Sequence, residues 1–234
     1  MLIHEQSRSL ILKLKDPTRV TSVVPRSRAV DYKGARLTQV HFGLDEVRVL
    51  RNLGITAPSP MTLDYKWVGP FTPLKHQQAT SEFLTVNPKA ICLSSMGTGK
   101  TLSVLWAADY LMDQSKVRKV LVVGPLSTVS SVWHNEITRH FLSKRRSVIL
   151  HGEKKKRLKL LEEDADFYII NHDGIKTIHE ELKAANFDMV VVDEASMFRN
   201  ASSDRYKALH ALTENAYWVW LLTGTPVSKD PTDA

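Results

Sequence analysis

The run Ile91-Cys92-Leu93-Ser94-Ser95-Met96-Gly97-Thr98-Gly99-Lys100-Thr101 restricts this chain to few folds: an apolar strand enters a loop with two glycines, which leaves through Lys-Thr into a helical pattern. Lacking Cβ, glycine lets successive backbone N–H groups turn inward on phosphate oxygens at the positive end of the following helix. Met96, Gly97, Thr98 and Gly99 would line such a cradle, Lys100 would reach the β and γ phosphates, and the Thr101 hydroxyl would take Mg²⁺. Val190-Val191-Val192-Asp193-Glu194 supplies a second apolar strand ending in two carboxylates. Asp193 would hold the same Mg²⁺ through water, and Glu194 would orient and deprotonate the attacking water, so Lys100, Asp193 and Glu194 form the candidate catalytic set. Gly-Thr-Gly-Lys-Thr also occurs in plain surface loops, and Asp-Glu after a strand in solvated turns. The pairing of the two segments, each behind its own strand, points to a nucleoside triphosphate. Ser94 stands where the usual phosphate loop has its first glycine.

From Pro73 onward short apolar runs alternate with helical patterns, which predicts an α/β domain with a parallel sheet covered on both faces. Strands are expected at 90–93, 120–124, 147–150, 167–170, 189–192 and 217–222, and helices at 74–84, 101–112, 128–141 and 204–212, the last behind a Ser202-Ser203 cap. Right-handed crossovers place the loops after Leu93 and Val192 at one carboxyl-end edge of the sheet. Residues 1–70 read as a separate small α+β module and linker. It has strands around Leu10–Lys15, Val20–Val24 and Leu37–Phe42, a helix over 44–53 capped by Gly54, and breaks at Ala57-Pro58-Ser59-Pro60 and Gly69-Pro70. Residues 71–234 form the second domain.

The net charge of +7 is uneven: residues 1–70 carry 11 Lys/Arg against 6 Asp/Glu, and residues 71–234 carry 21 against 19. A basic surplus attracts polyanions, which makes nucleic acid the first partner to consider. The lysine-rich run Glu153 to Arg157 reads as a solvated loop and helix start. One cysteine excludes a disulfide framework, and nine histidines without ligand spacing give no structural metal. No apolar run reaches membrane-span length and no signal pattern opens the chain, so a cytoplasmic protein with no membrane partner is expected.

Further segments, in order, resemble the first lobe of superfamily 2 helicases, in particular the Swi/Snf-like branch of duplex-DNA translocases. Leu74-Lys75-His76-Gln77 before Phe83-Leu84 resembles the adenine-reading glutamine motif, which assigns Gln77, with Gln78 as neighbouring competitor, and implies ATP. Gly124-Pro125-Leu126-Ser127 before Trp133 looks like motif Ia, whose loop meets a DNA strand; here Trp133 reads as a packing residue. Ile170-Asn171-His172-Asp173 resembles a strand-end segment usually closed by Tyr-Asp. The resemblance thus implies nucleic-acid contacts at Pro125, Leu126, Ser127, Asn171 and His172. Asp193-Glu194-Ala195-Ser196 resembles the DEAx box, followed by Phe198-Arg199-Asn200, and Leu222-Thr223-Gly224-Thr225-Pro226 resembles motif III, which implies coupling roles for Thr223, Gly224 and Thr225. Ser94-Ser95 replaces the Asp-Glu common in that branch.

The resemblance covers residues 71 to 226, a RecA-like lobe where relatives have two, and implies a P-loop enzyme that takes ATP and Mg²⁺ and moves on duplex or branched DNA once a second RecA-like lobe completes it. The arrangement is similar to phage-encoded helicases, which would put it in the host cytoplasm. The alternative is a non-catalytic nucleic-acid or protein-binding module with a vestigial nucleotide site.

Overall fold

The structure, a computed structural model, describes residues 1–32, 34–141 and 144–224. The chain divides into two compact units, residues 1–66 with 85–87, and residues 67–84 with 88 onward.

In the first unit β1 (Leu2–His4), β2 (Ser9–Leu12), β3 (Ser27–Tyr32) and β4 (Ala35–His41) form an antiparallel sheet in the order β1-β2-β4-β3. Alternation decides its two faces: Leu10 pairs with Val40 and Leu12 with Thr38, and all four side chains are buried. α1 (Thr18–Thr21) lies between β2 and β3, and α2 (Leu44–Asn52) and α3 (Met61–Asp64) follow β4. Beyond α2 the Gly54 and Ile55 N–H groups donate to the carbonyls of Arg51 and Leu50, which satisfies helix-end acceptors as the glycine after the helix predicts.

Val20 to Val24, expected as a strand, is instead α1 and a following turn. The Asp16 carboxylate accepts the Thr18 backbone N–H at 2.9 Å and its hydroxyl at 2.5 Å, and Pro17 enters with φ −63. That is helix-starting chemistry. Val20 and Val24 are four residues apart and both buried, so their spacing serves one helical face as well as a strand run would.

The second unit is built on a six-stranded parallel sheet in the order β5-β10-β9-β6-β8-β7. Its strands are β5 (Lys89–Leu93), β6 (Val120–Gly124), β7 (Ser147–Ile149), β8 (Phe167–Asn171), β9 (Met189–Val192) and β10 (Trp218–Thr223). Every residue of β6 and β9 is buried, as central strands covered on both faces require. The helices are α4 (Lys75–Val86), α5 (Lys100–Asp113), α6 (Leu126–Thr128), α7 (Asn135–Phe141), α8 (Lys154–Leu161), α9 (Gly174–Thr177), α10 (His179–Ala184) and α11 (Asp204–Asn215). The expected single helix over 128–141 is broken: a π-helical turn, Val129–His134, lies between α6 and α7. No helix among the described residues is long and apolar enough to cross a membrane.

Ser203 caps α11, its hydroxyl oxygen accepting the Tyr206 N–H at 3.2 Å. Ser203→Ala should lower stability by about 1 kcal/mol, read from the urea midpoint at unchanged slope. A stronger anchor holds the far end of α5. Asp109, fully buried, accepts from Lys144 Nζ at 2.7 Å and Arg145 Nε at 2.6 Å, and both cations also reach Asp113 one turn on.

The lysine-rich run is not wholly solvated. Arg157 turns inward from α8 at 8% exposure and donates to the carbonyl oxygens of Leu150 and Gly152 and, at 3.4 Å, to Asn171 Oδ1. Lys154, Lys155 and Lys156 remain exposed.

Candidate nucleotide site

β5 runs straight into the loop 94–99, and α5 starts at Lys100 with Gly99 as its N-terminal cap. Gly97 and Gly99 sit at φ +77 and +75, the left-handed region that ordinary side chains avoid. At Gly99 a Cβ would also collide with Gln77 Nε2. The loop is closed by its own polar groups. Ser94 Oγ and Thr98 Oγ1 are 2.8 Å apart, Thr98 Oγ1 donates to the Ser95 carbonyl, and Lys100 Nζ donates to the carbonyls of Ser94 at 2.6 Å and Ser95 at 3.1 Å. Ser94, which replaces a glycine, thereby staples the loop across its width. Met96 projects into solvent at the loop's tip, and Thr101 follows Lys100 in the first turn of α5.

Gln77 is buried and faces this loop. Its Oε1 accepts the Leu74 N–H at 2.9 Å, and its Nε2 donates to the Thr98 carbonyl at 3.4 Å. The neighbouring Gln78 turns back to the Pro73 carbonyl. His76, which sequence reasoning passed over, places Nε2 3.0 Å from that same Thr98 oxygen. A histidine beside the glutamine was the available signal.

Asp193 and Glu194 leave the carboxyl end of β9 at the edge where β5 ends, with β10 between. Two strand spacings put the two loops about 10 Å apart at their roots. Thr223 ends β10 in register with Leu93, and its carbonyl accepts the Ser94 N–H at 3.2 Å. A methyl built on Gly224 would touch the Ser94 carbonyl at 3.5 Å and the Met96 nitrogen at 3.6 Å. Thr223 and Gly224 therefore lie against the backbone of the glycine loop. Thr225 falls outside the described residues.

The Asp193 carboxylate is 9% exposed and held on both oxygens: Oδ1 accepts the Glu194 N–H at 3.0 Å, and Oδ2 accepts the Trp133 indole N–H, also at 3.0 Å. Glu194 sits at φ 50, ψ 51, a left-handed conformation that costs a non-glycine residue about 1–2 kcal/mol. It turns the chain sharply into a short 3₁₀ turn, Ala195–Phe198.

Among the other expected contact residues, Leu126 and Ser127 are exposed beyond β6, Pro125 is half-buried, and Asn171 is half-buried at the end of β8. His172 lies inside, behind the carboxylate turn. It is 6% exposed, Nε2 donates to the Asp193 carbonyl at 2.8 Å, and its ring meets Phe198 edge-on. A side chain so enclosed offers no surface to a DNA strand. Burial pushes its imidazole below the usual value, partly offset by the bond to Asp193 O, so it serves as a neutral spacer behind the carboxylate turn.

The donors at this edge suit Mg²⁺, a hard cation that prefers oxygen and keeps several waters. Each Asp193 oxygen accepts one N–H from the protein and retains acceptor capacity. Among the described residues no group of three or more His, Cys, Asp or Glu is placed to hold a metal ion.

Residues 75–234 match the SNF2-related domain. The chain is 30% identical over 163 residues to an uncharacterized ATP-dependent helicase, YqhH, of Bacillus subtilis, covering 68% of this chain and 27% of that protein. It is likewise 30% identical over 146 residues to the ISWI chromatin-remodeling complex ATPase ISW1 of Saccharomyces cerevisiae, covering 60% and 13%. It thus spans about a quarter of the first relative's length and less of the second. The fold is similar to the Sulfolobus solfataricus SWI2/SNF2 ATPase core in complex with dsDNA, with a TM-score of 0.61 and 21% identity over 72% of this chain and 36% of that one. A RecA-like parallel sheet and a family match over residues 75–234 lead to one conclusion: the chain belongs to the SNF2-related family.

Proposed function

We propose that residues 71–234 are the ATP-binding first lobe of an ATP-dependent DNA translocase, completed by a second RecA-like lobe, with residues 1–70 as a basic accessory module. The observation that carries this is the common sheet edge: the Lys100 loop and the Asp193-Glu194 turn flank β10, whose Thr223-Gly224 end touches the glycine loop. Lys100 would bind the triphosphate, Thr101 and Asp193 would hold Mg²⁺, and Gln77 would read adenine. When bound, Mg·ATP supplies the phosphoryl group, and Glu194 takes the proton of the water that attacks it. Pro125, Leu126, Ser127 and Asn171 meet the backbone of duplex or branched DNA, contacts that position the protein without reading sequence. Thr223, Gly224 and Thr225 couple the nucleotide state to that face.

The test is a titration of the chain with labelled ATP, with and without Mg²⁺ and with GTP as competitor, followed by turnover with and without duplex DNA. Expected are Mg²⁺-dependent binding that favours ATP and slow turnover that DNA scarcely stimulates. The second lobe's arginines, worth several orders of magnitude in comparable NTPases, are not among residues 71–234. Absence of nucleotide binding would instead favour a non-catalytic binding module, and strong DNA-stimulated turnover by these residues would remove the need for a second lobe.

A further inference from the structure

The sequence marks Trp133 as packing, yet its one polar atom is spent on the candidate metal carboxylate. Trp133 is fully buried, its only hydrogen-bond donor is the indole N–H, and that N–H meets Asp193 Oδ2 at 3.0 Å. A packing role alone needs the rings and leaves the N–H as a burden, because a buried indole donor must find an acceptor. Here the acceptor is a carboxylate, which makes the bond charge-assisted and directional. The backbone around it is unusual as well. Trp133 lies in the π-helical turn 129–134, an uncommon conformation concentrated at functional sites.

The rest of the Asp193 environment explains why one extra bond matters. Its N–H is held by the Val123 carbonyl, its carbonyl by His172, and Oδ1 by the next residue's N–H. Those bonds fix the backbone and one oxygen. Rotation of the carboxylate about its Cβ–Cγ bond moves both oxygens, so the bonds to Oδ1 and Oδ2 restrain it together, and Trp133 is the side chain that contributes.

We propose that Trp133 is a positioning residue for magnesium: its indole N–H sets the orientation in which Asp193 presents its free lone pairs to the metal's water shell. This rests on the nucleotide reading above. Groups that orient metal-binding carboxylates typically change metal affinity by about 10-fold to 100-fold when removed. Trp133→Phe keeps an aromatic ring and deletes the N–H.

The experiment is a Mg²⁺ titration at fixed labelled ATP for the wild type and Trp133→Phe, alongside nucleotide binding in excess chelator. The variant should need on the order of 10-fold to 100-fold more Mg²⁺ for half-saturation, with chelator binding within about twofold of the wild type. Equal Mg²⁺ requirements would overturn the proposal. A second arm needs no mutation of the tryptophan. The ¹⁵N-indole resonance of Trp133, followed in wild-type protein, should move on adding Mg²⁺ with nucleotide and stay in place with nucleotide and chelator, and Asp193→Asn should shift it upfield. An indole signal indifferent to both would overturn the proposal even if Trp133→Phe failed to fold. Wild-type protein that bound no nucleotide in either condition would refute the nucleotide reading, a result distinct from intact binding with an unaltered Mg²⁺ requirement.

Discussion

Lys100→Ala should lose nucleotide affinity by on the order of 100-fold, while its far-ultraviolet circular dichroism matches the wild type. The ammonium donates to two carbonyls of its own loop, Ser94 at 2.6 Å and Ser95 at 3.1 Å, and on the proposed reading would exchange them for phosphate oxygens. Phosphate oxygens carry more charge than carbonyls, and charge-assisted bonds are each worth about 1.5–3 kcal/mol. Losing about 3 kcal/mol corresponds to roughly 100-fold in Kd. The exposed loop can hydrate the two freed carbonyls, so the fold should lose little. A titration calorimeter gives the comparison directly. Equal affinities for the two proteins would mean that nucleotide, if bound, sits elsewhere.

The largest expected effect on stability comes from the opposite end of α5. Asp109→Ala leaves Lys144 and Arg145, at 32% and 13% side-chain exposure, facing a cavity where a fully buried carboxylate had been. Removing the buried partner of an ionic cluster costs about 3–5 kcal/mol, because the two cations lose the acceptor they meet out of water and keep Asp113, which is partly exposed. For a chain of this size each kcal/mol moves the melting temperature by about 2–4 °C, which predicts a fall of roughly 6–20 °C. Asp113, 37% exposed in the same cluster, is the control. Its replacement by alanine should cost about 1 kcal/mol or less, since exposed pairs are worth little. Similar losses from the two variants would mean that the buried carboxylate has no special weight.

Where the sequence was readable, the reason is periodicity. β6 and β9 were bounded to the residue because fully buried parallel strands are unbroken apolar runs, Val120-Leu121-Val122-Val123-Gly124 and Met189-Val190-Val191-Val192. The glycine loop was readable because φ near +75 at Gly97 and Gly99 admits few other residues. Legibility ended where tertiary partners decide. Val20 to Val24 is β-branched and suggests a strand, but the Asp16-Pro17-Thr18 start overrides propensity. β1 and β3 were missed, since their exposed residues show no apolar alternation. Within the site, the inward turn of His172 and the Trp133 bond to Asp193 join residues 21 and 60 positions apart, a distance over which one sequence carries no pattern. Arg157 is the same case at shorter range: a cation at the end of a lysine run looks solvated until three oxygens from two strand ends close around it.

The ionic cluster on α5 also bears on how the lobe deforms. That helix is continuous from the glycine loop to Asp113 and is pinned at its distal turns by cations arriving from beside β7. A helix moored so far from its mouth resists sliding or swivelling as a rod. On the proposed reading, accommodating a triphosphate would fall to residues 94–99, which carry the two left-handed glycines and a hydroxyl pair that ties the loop across. The lobe thus resembles a rigid jaw with a short pliable lip, and entry of ligand should perturb hydrogen exchange in that lip far more than along the helix behind it.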